Sequence, residues 1–486
     1  MTKFLAIDQG TTSSRAIVFS SEQKLITDSQ QEYSLSYPHD GWVEANPVDI
    51  LNTVNETINN VLNKTSETIS SCGITNQRET TVIWSSKTGE AIYPAIIWQD
   101  RRTNNLCNEL KSKGYEKMVR EKTGLVIDPY FSATKIKWIL DNVEGARKKA
   151  ESGELMFGTI DSFLLYNLTK EKVHLTDVTN ASRTMLFNIN TMDWDKDLLK
   201  LFDIPDSILP EVKPCDGEFG TLVTEGKEIK INGVIGDQQS ALVGQTCFKS
   251  GDMKSTYGTG CFLMVNTKKD IIKLDEGLLT TVGYQLNNEV NYAIEGSIYS
   301  CGNIIQWLRD KMEFFQHASM SEEYLNNNGS SNNVHFLPAF NGLGAPYWNS
   351  EVRGGFYGIT QDSSKADMIT AAFKSICYQT RDITELLQQN NIEISSLLID
   401  GGMTANSSFC EMLSCVLQKN ILKPANIEST ALGACVVAQI GEGESIDSIQ
   451  SNIEETYEPS HDMKDFFDSD YHSWKQYINK TISNIK

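Results

Sequence analysis

Two short apolar runs, Phe4-Leu5-Ala6-Ile7 and Ala16-Ile17-Val18-Phe19, flank the stretch Asp8-Gln9-Gly10-Thr11-Thr12-Ser13-Ser14-Arg15. Apolar runs on either side of a Gly- and hydroxyl-rich stretch predict two strands joined by a turn. The turn carries the parts of an anion cradle. A glycine lets backbone N–H groups approach, hydroxyls donate to phosphate oxygens, Arg15 supplies fixed charge, and Asp8 can orient a hydrated Mg²⁺. It is not a Walker loop, because no Gly-Lys-Ser/Thr follows. Gly-Thr-Thr-Ser is also the composition of a plain turn, so this segment alone supports both readings.

A chain of 486 residues exceeds one ordinary core, and two domains with a cleft between them are the expectation. Hydrophobic residues make up 40% and charged residues 22%, a globular composition. The formal charge of −20 argues against a nucleic-acid or anionic-membrane surface, which needs clustered Lys and Arg, so any phosphate site must be local. Met1-Thr2-Lys3 leads straight into a strand pattern, and no apolar run reaches the ~18 residues of a membrane span, which makes a cytoplasmic protein the expectation. The ten cysteines are scattered without a CxxC pair and read as small buried hydrophobes. The six histidines form no HxxxH or HExxH pattern, which argues against a protein-ligated zinc site.

Strand and helix patterns alternate along the chain, as in an α/β protein. Asn46 can cap a helix with Pro47 at its first position, and Val48, Leu51, Val54, Ile58 and Val61 recur at helical spacing. Thr81 to Trp84 and Ile92 to Trp98 are strand-like. The pattern of the N-terminus returns with Val234-Ile235-Gly236-Asp237-Gln238-Gln239 and then Thr256-Tyr257-Gly258-Thr259-Gly260-Cys261-Phe262, where a second domain is expected to start. Two related turns facing a cleft would grip a triphosphate from both sides. The run 326–333 is expected to be a polar surface loop. Ala431 to Ala438 reads as a buried helix with no chemistry of its own.

A third station is Leu397-Leu398-Ile399-Asp400-Gly401-Gly402-Met403-Thr404-Ala405-Asn406, an apolar strand ending in a Gly pair before a helical pattern. A base or ribose can lie against such bare backbone, with Asn406 free to hydrogen-bond it, although an ordinary strand-to-helix connection has the same sequence. Three stations in this order resemble the nucleotide-binding core shared by actin, hexokinase and the heat-shock ATPase chaperones.

The segments between the stations are more specific. Gly73-Ile74-Thr75-Asn76-Gln77-Arg78-Glu79-Thr80-Thr81, Trp98-Gln99-Asp100-Arg101-Arg102-Thr103, Asp128-Pro129-Tyr130-Phe131-Ser132, Thr176 to Thr184, Gly236 to Gln239, Tyr257 to Phe262 and Gly342 to Trp348 resemble, in collinear order, the blocks of the glycerol kinases, within the wider FGGY family of carbohydrate kinases. The resemblance runs from Phe4 to about Gly441. It implies two ribonuclease H-like domains of the actin and hexokinase type with an active-site cleft between them. The expected division is 1–247 for polyol and phosphate and 248–486 for nucleotide.

The resemblance implies ATP and Mg²⁺ as cofactors, glycerol as substrate in glycerol catabolism, and residue roles that elementary chemistry can check. Glycerol needs charged hydrogen-bonding partners and apolar walls. Arg78 and Glu79 would bind adjacent hydroxyls, with Gln238 and Tyr130 as further polar contacts and Trp98 and Phe262 as walls. Adjacent opposite charges at Arg78-Glu79 also fit an ion pair on a solvated face, but their place between two strand-like segments favours the site. Asp237 would be the general base. Thr11, Thr12, Ser13 and Arg15 would hold the β and γ phosphates, Thr259 would contact them from the second domain, and Asp8 would orient Mg²⁺ through water. Gly302, Gln306, Gly402 and Asn406 match the remaining nucleotide positions. For Gln306 a plain amphipathic helix explains the sequence equally well.

Some family members bind fructose 1,6-bisphosphate through a Gly-Gly-Lys-Gly-type loop, whereas the comparable stretch here is Thr224-Glu225-Gly226-Lys227-Glu228-Ile229, with one glycine and two acids. Others are switched by a phosphohistidine, and no histidine lies between His174 and His317. Dimers and tetramers are the family expectation. Two alternatives stand beside the glycerol reading. One is another FGGY kinase acting on a pentulose, erythritol or gluconate, which Trp98 and Phe262 would crowd. The other is a non-catalytic nucleotide sensor or filament protein on the same core, which has no need of a base beside a polyol pocket.

Overall fold

The expected hairpin forms. Strands β1 (Lys3–Gln9) and β2 (Ser13–Ser20) pair antiparallel with Asp8 opposite Arg15, and the apolar residues of both runs are buried. The computed structural model describes residues 2–484 apart from 66–67, 275–276, 328–332, 350, 395–396, 427 and 451. The centre of the polar run expected as a loop at 326–333 therefore lies outside the described residues.

The hairpin opens a six-stranded sheet. With β3 (Leu25–Glu32), β4 (Ile69–Asn76), β5 (Thr221–Thr224) and β6 (Lys227–Gly236), the order is β5-β6-β4-β1-β2-β3. β4 runs parallel to β1, and β6 parallel to β4. Between β5 and β6, Thr224 pairs with Lys227 around Glu225 and Gly226, both at positive φ. The stretch compared with a sugar-bisphosphate loop is thus a two-residue hairpin turn.

A second sheet holds β7 (Met253–Tyr257), β8 (Cys261–Lys268), β9 (Leu279–Leu286), β10 (Glu289–Ile298), β11 (Leu397–Asp400), β12 (Ile421–Pro424) and β13 (Ile453–Tyr457), in the order β9-β10-β8-β7-β11-β12-β13. Remove the flanking strands and the two sheets coincide: β3-β2-β1-β4-β6 and β10-β8-β7-β11-β12 have the same order and the same directions. The short likeness between Gly10-Thr11-Thr12 and Gly258-Thr259-Gly260 belongs to a repeated topology, since each occupies the first hairpin turn of its sheet.

Helix α1 (Pro47–Lys64) starts where its cap predicts, with Asn46 Oδ1 accepting from Val48 N at 3.1 Å. Its buried seam runs through Ile50, Val54, Ile58 and Val61, while Val48 is 57% exposed, so the seam is shifted from the expected 48/51 start. The strand expected over Ile92 to Trp98 shrinks to Ala95–Ile96, because Pro94 has no N–H to give a ladder.

The remaining helices that place the site are α2 (Asp237–Gly244), α3 (Gly302–Asp310), α4 (Lys365–Gln389), α5 (Ser407–Leu417), α6 (Ser429–Gly441) and α7 (Lys464–Ser483). α4 and α7 close the core of the second sheet. α6 crosses to the first half, packing on β1, β4, β6 and α2. Its stretch Ala431 to Ala438 is apolar on every side and buried, as its sequence requires. The approach is at backbone distance. A Cβ on Gly433 would lie 1.8 Å from Ser240 O, and one on Gly73 would lie 2.0 Å from Ala434 O. One core cluster therefore mixes Phe4, Ala6, Ile17 and Phe19 of the first hairpin with α6 and with Met264 and Val282 of the second sheet. Among the described residues no helix is long and apolar enough to cross a membrane. All ten cysteines are free, and all but Cys415 are buried.

Candidate functional site

The C-terminal ends of β1, β4 and β6 carry the hairpin turn, Gln77-Arg78-Glu79 and Asp237. The turn is pinned from below. Gly10 O accepts from Gln9 Nε2 at 2.7 Å, Tyr33 Oη at 2.7 Å and Gln77 Nε2 at 3.2 Å. Gly10 N closes the turn onto Ser13 O at 2.9 Å. Thr11 Oγ1 accepts from Trp98 Nε1 at 2.9 Å, which joins the expected phosphate turn directly to an expected polyol wall. Thr12 is exposed, and Ser13 Oγ accepts from Gln30 Nε2 at 3.1 Å. Arg15 Nε donates to Gln30 Oε1 at 2.9 Å, and its guanidinium also pairs with Glu428, just before α6.

Asp237 is the first residue of α2, where β6 turns directly into the helix. Its Oδ1 accepts from Gln238 N at 2.6 Å and sits 3.1 Å from Arg78 Nε, and the side chain is 29% exposed. Enclosure by the cleft walls pushes this carboxyl above the usual range, against the pull of Arg78 and Lys254. Asp8 is pushed up to about 7, first by burial and then by the charge of Asp237, with Arg15 opposing. Two carboxylates that repel one another at the end of a phosphate turn fit a divalent cation. Among the described residues no group of three or more His, Cys, Asp and Glu could hold a metal ion. A carboxylate pair suits Mg²⁺, which takes one or two carboxylates and completes its shell with water and phosphate oxygens.

Arg78 and Glu79 are only 2% and 1% exposed, so the reading of a surface ion pair does not hold. Their separation, 3.9 Å from Arg78 Nε to Glu79 Oε1, is too long for a hydrogen bond. Glu79 has a φ of +61°, an unfavourable conformation for a residue with a side chain. Its carbonyl is fixed by Ser132 Oγ at 3.0 Å, Thr81 Oγ1 at 3.1 Å and the buried Lys135 Nζ at 3.2 Å. Around these charges stand the aromatic rings. Trp98 meets Tyr130 edge-on at 5.6 Å and Phe262 at 6.3 Å between centroids. Tyr130 Oη accepts from Arg78 Nη2 at 3.4 Å. Gln238 Oε1 is taken by Lys254 Nζ at 2.5 Å, leaving its amide NH₂ as the end available to a ligand.

Three charged residues at the site are absent from the expected set. Lys254 is fully buried on β7 and lies near Asp237 and Asp400; burial pulls its ammonium below the usual range while Asp400 raises it. Arg183 and Glu295 are fully buried against Arg78 and Glu79. A lone acid inside the apolar run of β10 and a lone base inside β7 were the signals available.

In the second half, Gly302 N donates to Gly258 O at 2.9 Å, and Thr259 O accepts from Cys301 N at 3.1 Å and Asn303 N at 3.2 Å, so the turn is seated on the N-terminus of α3. A Cβ on Gly302 would fall 2.6 Å from Gly258 O. Gly401, at φ +93°, passes so close to β7 that a Cβ would lie 2.5 Å from Tyr257 O. Gly402 faces open space, with nothing within 4 Å of where a Cβ would stand. Gln306 is on the exposed face of α3, whose other face buries Ile304, Ile305 and Leu308. Asn406 is not free as expected: its Oδ1 caps α5 by accepting from Phe409 N at 2.9 Å, and its Nδ2 donates to Ser321 Oγ at 3.4 Å. Helix N-termini favour this use of Asn side chains.

Two hairpin turns on matching sheets, a carboxylate pair and a cluster of buried charges beside aromatic rings are the features of a sugar-kinase type of site. The chain belongs to the FGGY family of carbohydrate kinases: the model of the family's N-terminal domain matches residues 3–244, and that of its C-terminal domain matches 253–441. It is similar to a glycerol kinase of Marinomonas sp. (strain MWYL1), 48% identical over 485 residues covering 98% of both chains. The crystal structure of Plasmodium falciparum glycerol kinase with ADP superposes with a TM-score of 0.92 at 35% identity, over 99% of this chain and 98% of that one. A ligand-bound xylulose kinase from Lactobacillus acidophilus reaches 0.91 over 99% of this chain and 98% of that one, at only 20% identity, so the fold does not discriminate between these substrates.

Proposed function

We propose that this protein transfers the γ-phosphoryl group of ATP to glycerol, giving sn-glycerol 3-phosphate and ADP, and serves glycerol catabolism. The observation that carries the reading is the meeting of Arg78, Glu79 and Asp237 with Tyr130, whose ring packs on Trp98, itself beside Phe262 and bonded to Thr11 of the first hairpin turn.

The rings offer apolar faces to the CH groups of a short polyol, while Arg78 donates to one hydroxyl and Glu79 accepts from its neighbour, with Tyr130 and the Gln238 amide completing the polar contacts. The terminal hydroxyl then lies beside Asp237. As its oxygen forms a bond to the γ-phosphorus, the bond to the leaving ADP oxygen breaks and the hydroxyl proton passes to Asp237. A carboxyl raised above its usual range is a stronger base than a free aspartate, which suits this step. Thr11, Thr12, Ser13 and Arg15 would hold the β and γ phosphates, with Thr259 opposite them, and Arg15 would exchange Glu428 for a phosphate oxygen. Asp8 would hold Mg²⁺ through water, where the ion supplies charge neutralisation for the phosphates. Gly402 and Gly302 would offer bare backbone to the nucleotide, and Gln306 and Asn406 would line it.

We divide the chain at 247/248, between the two sheets, and assign the protein to the cytoplasm as a homodimer or homotetramer. Kinase assays across glycerol, erythritol, xylulose and gluconate test the substrate. Glycerol is expected to give the highest kcat/KM, and faster turnover of a longer substrate would replace it.

A further inference from the structure

With Glu295 and Arg183, Arg78 and Glu79 nearly close a ring of four buried charges. Arg78 Nη1 donates to Glu295 Oε2 at 2.5 Å, Arg183 Nη2 donates to Glu295 Oε1 at 2.9 Å, and Arg183 Nε donates to Glu79 Oε1 at 2.6 Å. The fourth side, Arg78 to Glu79, stays open at 3.9 Å. The signs alternate around the ring, and no member is more than 2% exposed.

A neutral polyol explains why such a ring is needed. Unlike a sugar phosphate, it brings no charge, so it cannot neutralise the buried arginine and glutamate that bind it. Those two are too far apart to neutralise each other through a hydrogen bond. Glu295 and Arg183 supply counter-charges beside that of Asp237, which stands 3.1 Å from Arg78 Nε. Arg183 is held in turn against the rings of Tyr130 and Phe131, at 5.6 and 5.2 Å from their centroids. It comes from the block Thr176–Thr184, to which the catalytic reading gives no role, and Glu295 comes from β10 of the other sheet. The ring therefore also ties the polyol pocket of one half to the body of the other. Burial opposes ionisation of Glu295, but Arg183 and Arg78 outweigh it and hold its carboxyl at about 2, whereas burial pushes the Glu79 carboxyl above its usual range against the pull of Arg78 and Arg183.

We propose that Arg183 and Glu295 are positioning residues for the polyol: they hold Arg78 and Glu79 without a hydrogen bond to each other, so that each can meet one of two hydroxyls on adjacent carbons. This rests on the reading of the pocket as a polyol site.

The test is steady-state kinetics of full-length Glu295→Gln beside the wild type. The variant is expected to raise KM for glycerol ~10-fold or more, the scale of a displaced charged hydrogen bond, and to lower kcat with it because Arg78 also faces Asp237, while KM for ATP stays within ~2-fold. An unchanged KM for glycerol with only a lower melting temperature would overturn the proposal, since a purely structural charge would act on the folded fraction alone. If Glu295→Gln does not fold, Arg183→Lys keeps the charge but cannot reach both carboxylates, and the same rise in KM is expected; its absence would also overturn the proposal. Wild-type turnover separates the two claims. If the wild type prefers another vicinal polyol, the substrate assignment fails, and the ring is judged by KM for that polyol.

Discussion

Arg78 Nε stands 3.1 Å from Asp237 Oδ1, so the guanidinium proposed to bind a substrate hydroxyl also orients the carboxylate proposed to deprotonate its neighbour. Binding and chemistry share one side chain. Asp237→Asn keeps the shape and can still face Arg78, but it cannot take a proton at neutral pH. Its kcat is expected to fall ~10²-fold or more, with ATP and glycerol binding by calorimetry within an order of magnitude of wild type. Near-normal turnover would remove Asp237 from the role of base.

The elevated carboxyl of Asp8 gives two pH dependences of opposite sense. With its proton leaving at about 7, the group becomes neutral in acid, and affinity for Mg-ATP is expected to weaken as pH falls below neutrality. Stability goes the other way. An unfolded aspartate titrates near ~4, so between that pH and about 7 the native protein holds a proton the unfolded chain has released, and stability is lost as pH rises through this window. Asp8→Asn is therefore expected to stabilise the ligand-free protein at pH 8 by on the order of 1–2 kcal/mol, a figure reduced for solvent screening, and to leave it unchanged near ~pH 4. Thermal melts at the two pH values check the sign.

Two glycines separate packing from ligand contact. Gly433→Ala drives a methyl into Ser240 O across the α2–α6 contact, and a loss of ~3 kcal/mol or more in chemical denaturation is expected. Gly402→Ala meets open space, so stability should hold within ~0.5 kcal/mol. If a nucleotide lies against that backbone, the same methyl should raise KM for ATP ~5-fold or more. Unchanged KM would take Gly402 out of the nucleotide site.

Trp98 should act on both substrates. Its ring walls the polyol pocket and its Nε1 holds Thr11 in the phosphate turn. Trp98→Phe keeps an aromatic wall and removes the hydrogen bond, and a rise of ~3- to 10-fold in KM for ATP as well as for glycerol is expected. A change confined to glycerol would show that the link to Thr11 carries no energy.

The parts of this molecule that announce themselves in sequence are local. The Gly10 to Ser13 turn, the Asn46-Pro47 helix start and the apolar stretch Ala431 to Ala438 of α6 each follow from a few neighbouring residues, and the structure realises them. What sequence hides is pairing at a distance. Arg78 and Glu79 are adjacent in the chain, which invites pairing them with each other, yet they share no hydrogen bond, and their charged hydrogen-bond partners include Glu295 and Arg183, more than a hundred residues away. Asn406 shows the converse. Its position before a helical pattern was visible, but its side chain is spent on capping α5, the use its local sequence favours. The repeated sheet order was legible only through the family resemblance, because topology survives where only a three-residue likeness remains.

The most direct test of the central claim is ADP release by the purified wild-type protein with Mg²⁺ and ATP, measured with and without glycerol. The account expects release to depend on glycerol, with one ADP formed for each sn-glycerol 3-phosphate. Release that ignores glycerol, or tight ATP binding with no release at all, would contradict it and make the cleft that of a nucleotide sensor.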